Sequence, residues 1–181
     1  MRTDTFTSGP NGNVPNSRFP VLIHRGAVAG GTKDALSVFR KNFWLNNWEN
    51  HGIYTYGHFH STTHECLCCA AGWIDLRLFG EGGAETRMNT GDVIVMPAGV
   101  SHAMRACSDD NVMVGGYPDG RDWDNMRDDA IDEAARVAAA KRIMSLPIPA
   151  TDPVTGTPLQ HWIDAPSSGD AGLDTYRNGL E

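Results

Sequence analysis

Between Gly52 and Pro118, short apolar stretches recur every few residues, punctuated by Gly, Pro, Asn and Ser. That rhythm predicts strands over 53–60, 65–71, 73–79, 84–88, 92–96, 103–107 and 112–116. Turns are expected at Gly72, 80–83, 89–91, 97–99 and 108–111. In 73–79 the alternation is strict, so Ile74, Leu76 and Leu78 are expected inward and Trp73, Asp75, Arg77 and Phe79 outward. No βαβ rhythm and no internal repeat is visible. Short strands at this spacing predict an all-β sandwich or barrel with a single cup.

The flanks read differently. Residues 1–19 are rich in Gly, Pro, Asn, Ser and Thr and are expected to form an irregular arm. A strand is predicted over 19–24. After Gly30 and Gly31, Thr32 is placed to cap a helix over 33–43, with Leu36, Phe39 and Phe43 on one face. The aromatic run Phe43, Trp44 and Trp48 is expected to pack. A second helix is predicted over 121–145, its acidic first half (Asp122, Asp124, Asp128, Asp129, Asp132, Glu133) a solvated face and its basic end complementing the helix dipole. From Leu146 four prolines up to Pro158 predict an extended tail wrapping the barrel or a neighbouring subunit. Residues 166–181 read as flexible. The expected organisation is an arm over 1–19, a barrel with one short helix over 20–118, and a helix with a Pro-rich tail over 119–181.

Bulk properties narrow the function. A chain of 181 residues with 40% hydrophobic and 20% charged residues matches one globular domain. Its net charge of −7 disfavours nucleic acid and anionic membranes as partners. No run approaches the ~18 apolar residues of a membrane helix. No apolar run follows the first residues, so a signal peptide is not expected and a cytoplasmic location is. The four cysteines, Cys66, Cys68, Cys69 and Cys107, include a C-x-x-C. On a strand its two members face opposite sides, which argues for small apolar fillers rather than a bridge or a zinc knuckle. Cys69 shares parity with Glu65 and is expected to face the interior.

The chemistry lies in a spacing. Five residues separate Gly52 from His58, one separates His58 from His60, four lie before Glu65 and six before Gly72. Five more separate Gly91 from Pro97-Ala98-Gly99, and two more lie before His102. His58 and His60 alternate on a strand and aim at one point; Glu65 returns from the next strand after Ser61, Thr62 and Thr63. Only tertiary folding brings in His102. Three imidazoles and a carboxylate suit a divalent transition metal with positions left open. Glu65 has a second reading as a general base. Tyr54 and Tyr56 share the parity of His58 and His60, and Tyr56 is the better candidate to donate its hydroxyl to substrate. His64 has the opposite parity and is expected outside the cup, orienting the turn or meeting solvent. His24, His51 and His161 fit no ligand pattern. Arg77 and Arg105 point away, leaving no arginine clamp for an anion.

The segments "GHFHSTTHE" and "GDVIVMPAGVSH" resemble the two motifs of the cupin superfamily; uncharacterised single-domain bacterial cupins are similar over "VPNSRFPVLIHRG" and "LPIPATDPVTG" as well. Ala106 stands where the family often has Asn. The resemblance implies a double-stranded β-helix (jelly-roll) barrel, with a metal held by His58, His60, Glu65 and His102. It implies Fe or Mn foremost, with Ni, Zn or Cu as alternatives. A dioxygenase-type oxidoreductase acting on a small organic molecule is the implied activity, beside isomerases, lyases and non-catalytic sensors. A homodimer is the implied assembly.

Overall fold

The computed structural model describes residues 1–165, so the stretch 166–181 that reads as flexible lies outside the described residues. Strands β1 (Arg2–Phe6), β2 (Val21–Arg25) and β3 (Trp44–Asn50) flank helix α1 (Thr32–Lys41). Then follow β4 (His58–Phe59), β5 (Glu65–Ala71), β6 (Trp73–Leu78), β7 (Glu85–Asn89), β8 (Val93–Met96), β9 (His102–Cys107) and β10 (Val112–Pro118). The chain continues through β11 (Met126–Arg127), α2 (Glu133–Ser145) and α3 (Gln160–Ile163). The strands form a six-stranded sheet, β1-β2-β8-β5-β10-β3, and a five-stranded sheet, β11-β4-β9-β6-β7. Every pairing is antiparallel. The result is an all-β jelly-roll barrel.

Two cores explain the two kinds of strand. The first lies between the sheets and contains Val21, Ile23, Leu67, Cys69, Ile74, Leu76, Leu78, Met88, Ile94 and Met113. The second covers the outer face of the six-stranded sheet, where Cys66, Cys68, Val93, Val95 and Val114 meet Phe39 of α1 and Leu159 and Trp162 of the tail. A sheet buried on both faces needs continuous apolar strands, as in "ECLCCAA" and "VIVM". The five-stranded sheet has a solvated side, so β6 alternates. Cys66, Cys68 and Cys69 are free, buried members of these cores, as expected of fillers. Burial drives the Cys66 thiol well above 9 and pushes Cys68 up to about 12 and Cys69 up to about 11.

Several expectations need correction. The arm contains a strand, β1, paired to β2. Thr32 is the first helical residue rather than the cap; Gly31, at φ 82, occupies the cap with no side-chain bond. Phe43, at φ 63, leaves the helix and is exposed, whereas Trp44 is fully buried. The stretch 44–50 is a strand that the pattern hid, because Asn46, at φ 51, interrupts its alternation. Phe79 turns inward at φ 72 and is buried.

Helix α2 starts only at Glu133, with Asp132 capping it by accepting from the Ala135 amide at 2.8 Å. Residues 121–132 form instead a loop with β11, which pairs with β4. The tail is not extended throughout: it includes α3, where Trp162 stacks on Phe19 at 5.2 Å and donates to the Pro20 carbonyl at 2.8 Å. No helix among the described residues is long and apolar enough to cross a membrane.

Candidate metal centre

His58 and His102 are direct cross-strand partners on β4 and β9, which brings their ring centroids to 4.2 Å. His60 follows β4, its ring 5.5 Å from that of His58 and 5.6 Å from that of His102. Each of the three offers one ligand nitrogen, and these lie within 4.8 Å of one another. Glu65 arrives from the opposite sheet, at the start of β5. Its Oε2 stands 3.4 Å from His60 Nε2 and 3.2 Å from His102 Nε2. All four side chains are buried. The turns of the two motifs are bonded together: Gly99 donates its amide to the His60 carbonyl at 2.8 Å. Only glycine serves at 99, where φ is +90 and a Cβ would sit 2.4 Å from the Asn16 carbonyl.

Backbone carbonyls orient all three rings. His58 Nδ1 faces the Tyr56 carbonyl at 3.3 Å and His102 Nδ1 the Val100 carbonyl at 3.1 Å. His60 Nδ1 makes a very short contact with the Asp124 carbonyl. A carbonyl only accepts, so each Nδ1 carries a proton, and in the neutral ring Nε2 is left as a lone pair. Glu65 Oε1 accepts from the Tyr117 hydroxyl at 2.9 Å, and that hydroxyl in turn accepts from Trp48 Nε1 at 2.9 Å. Glu65 Oε2 is buried without any hydrogen-bond donor. Lone pairs from two sheets thus face one another around an orphaned carboxylate oxygen. Such a set is stable only with positive charge among it, a proton or a cation. These residues fit a divalent transition metal.

The electrostatics treat the rings differently. Burial, helped by the neighbouring His102 and His60, drives His58 down to about 3, so it stays neutral in the form that ligates. Burial also acts against charge on His60, but Glu65 and Asp124 outweigh it and lift His60 above 6.5. Burial opposes charge on Glu65 as well, yet His60 and His102 hold its carboxyl well below the usual carboxylate range. Burial and the Glu65 charge push Tyr117 far above 10, so its hydroxyl keeps the proton it donates.

The remaining predicted residues fall outside this cluster. Only 58–59 of the expected strand 53–60 pairs as a strand, so parity does not govern Tyr54 and Tyr56. Their rings stack on each other at 4.8 Å, and Tyr56 lies 5.6 Å from the His58 ring. The Tyr56 hydroxyl accepts from Asn125 Nδ2 at 3.2 Å on the exposed side. His64 is outside the cup, as expected, but buried rather than solvated. It accepts from the Ala98 amide at 2.9 Å and bonds the Pro147 carbonyl at 3.2 Å. Burial lowers it to about 4. His24 is a satisfied core histidine, bonded to Thr3 Oγ1 at 2.9 Å and Asp152 Oδ2 at 2.8 Å. Arg77 pairs with Glu81, and Arg105 pairs with Glu85 at 3.4 Å.

Three contributors escape the spacing argument: Tyr117, Trp48 and Asp124. Asp124 belongs to the run read as a solvated helical face. Its side chain instead accepts from the amides of Ser61 at 2.6 Å and Thr62 at 3.2 Å, and from the Ser61 hydroxyl. Trp123 beside it is 40% exposed, with its ring 5.5 Å from that of His60.

A family model described as "Cupin domain" matches residues 48–114, which include both motifs. The uncharacterized protein YjlB of Bacillus subtilis (strain 168) is 34% identical over 155 residues, covering 85% of this chain and 91% of that protein. Among solved structures, an acireductone dioxygenase from Bacillus anthracis with a cadmium ion in its active centre aligns with a TM-score of 0.36 and 16% identity. That alignment covers 48% of this chain and 58% of the dioxygenase. RmlC from Streptococcus suis aligns with a TM-score of 0.38 and 14% identity, over 66% of this chain and 71% of its own. The family model spans both halves of the histidine cluster and the Bacillus relative aligns with 85% of the chain; the chain belongs to the cupin superfamily.

Proposed function

We propose that this protein is a metal-dependent oxidoreductase of the dioxygenase kind, acting on a small organic molecule. His58, His60, His102 and Glu65 are the proposed ligands, with Fe or Mn as the preferred ion and Ni, Zn or Cu as alternatives. One observation carries the reading: Glu65 Oε2 is buried without a donor, against the Nε2 atoms of His60 and His102 at 3.4 and 3.2 Å. When bound, such an ion supplies Lewis acidity and a template for substrate and, if iron, activation of oxygen.

The chain's own groups supply the rest. The backbone carbonyls of Tyr56, Val100 and Asp124 hold the three Nδ1 protons and so keep Nε2 available. Ile74, Leu76, Ile94 and Met113 of the inner core exclude water from the barrel. If Glu65 stays off the ion, its Oε2 is instead the proposed general base, the carboxylate oxygen that no donor occupies. Tyr56 is the proposed donor to bound substrate, supported by its position beside His58.

The test is oxygen consumption by the metal-loaded protein offered catechols, thiols and keto-acids. Turnover of one of them is expected. Saturable binding of such compounds without turnover would replace the enzyme with a small-molecule sensor.

A further inference from the structure

Of the four proposed ligands Glu65 alone comes from the six-stranded sheet, and its two oxygens have different surroundings. Oε2 faces His60 and His102 with no donor of its own. Oε1 is taken by the Tyr117 hydroxyl at 2.9 Å. Tyr117 has no rotational choice in this role, because its oxygen accepts from Trp48 Nε1 at 2.9 Å. An indole N–H only donates, so the phenol proton must point at Glu65.

The backbone is shaped to build this chain of bonds. Trp48 on β3 pairs with Gly115 on β10, and the β10 register shifts between Gly115 and Tyr117. The extra residue lies in β3, where 45–48 face 115–117, so Met113, Gly115 and Tyr117 keep one face of β10. Gly115 needs no special φ; its value is the missing side chain. A Cβ there would stand 2.1 Å from the Trp48 indole, so the ring lies flat over the glycine and reaches the phenol. Tyr117 is itself 1% exposed, and its neighbour Gly116 pairs with Cys66, next to Glu65.

We propose that Tyr117 is a positioning residue for the metal site: oriented by Trp48 across Gly115, it occupies Glu65 Oε1 and restricts Glu65 to ligation through Oε2 alone. This rests on the metal-centre reading above. A carboxylate held to one oxygen occupies one coordination position instead of two and leaves the others for substrate. Tyr117 touches neither the ion nor the substrate in this role; it acts through Glu65.

Titration of chelator-stripped protein with Co(II), followed by visible absorption and calorimetry, tests the idea. Wild type is expected to bind one Co(II) per chain. Tyr117→Phe, which removes one oxygen atom, is expected to bind Co(II) roughly tenfold more weakly, the lower end of the usual effect of losing an outer partner. Its Co(II) spectrum should also change, because the freed Oε1 enters the coordination sphere. Trp48→Phe should shift the spectrum in the same direction by less. Its phenol keeps its proton but loses its orientation.

The apo melting temperature of each variant reports on the fold independently of the metal. A Tyr117→Phe protein that stays folded and shows wild-type or tighter Co(II) affinity with a wild-type spectrum overturns the assignment while leaving the metal centre standing. If wild type takes up no Co(II), the metal centre itself is refuted, and the proposal with it.

Discussion

His60 and Asp124 lie 64 positions apart in the chain, yet the backbone carbonyl of Asp124 meets Nδ1 of His60. The Asp124 carboxylate is anchored at the same time to the Ser61–Thr62 turn, with Arg142 of α2 3.6 Å away. One residue therefore holds the proton of a candidate ligand with its main chain and its own loop in place with its side chain. Replacing Asp124 by Ala leaves the carbonyl but removes the anchor. A loss of about 2 kcal/mol in stability, the scale of hydrogen bonds to a charged group, is expected with weaker metal binding. Chemical denaturation and metal titration would measure both; wild-type values in the two would refute the role.

Removing a ligand directly is the sharper perturbation. His60→Ala deletes one of four proposed donors and should lower the metal content of purified protein well below one ion per chain. Elemental analysis decides the matter, and full occupancy would place the ion elsewhere.

The same protein should lose its metal in acid, because the ligating nitrogens are then claimed by protons. Occupancy measured after equilibration at successive pH values is expected to fall as pH drops through about 6. A flat curve contradicts histidine ligation.

Acid should also loosen the tail. Burial opposes charge on Asp152, but its bonds to His24 and to the amides of Val154 and Thr155 win and hold it below 3.8. A carboxyl lowered by folding contributes stability that is complete above the unfolded value and disappears as pH falls through the folded one. Asp152→Asn should therefore be less stable than wild type near neutrality and lose less on acidification below pH ~4, where the wild-type advantage vanishes. Melting curves between pH 3 and 7 would show parallel lines if Asp152 had no such part.

Thiol chemistry offers an independent check on the packing. Cys66, Cys68 and Cys69 are buried and their thiols raised, whereas Cys107 is half-exposed. With an aromatic disulfide reagent at pH 8, one thiol per native chain is expected to react readily and four in denaturant. Rapid reaction of two or more native thiols would contradict the two-core arrangement.

How much of this was legible before folding varies residue by residue. The strand 65–71 and the turns at Gly72, Gly91 and Gly99 coincide with the observed elements, because apolar runs and positive-φ glycines are local properties. His58, His60, Glu65 and His102 were legible as a set because a spacing carries them, and they converge as that spacing implies. Asp124 was not: its contribution is a main-chain carbonyl, which no side-chain pattern records, and its acidic neighbours mimic the first turns of a helix. Tyr117 was missed because the expected strand stopped at 116, whereas β10 continues to Pro118 with Met113, Gly115 and Tyr117 on one face. Tyr56 lies beside His58, but in a stretch that is mostly not strand, so alternation is not what places it there.

The clasp between His24 and Asp152 sets an order of events during synthesis. Strand β2 is made early, but its histidine waits for a partner 128 positions downstream, and Trp44 likewise waits for the Thr151 carbonyl. Until that later segment leaves the ribosome, the outer face carrying Leu22, Val93 and Val95 lacks the cover of Leu159 and Trp162. Apolar surface left bare on that face favours association between chains, so a chain cut before Asp152 is expected to aggregate.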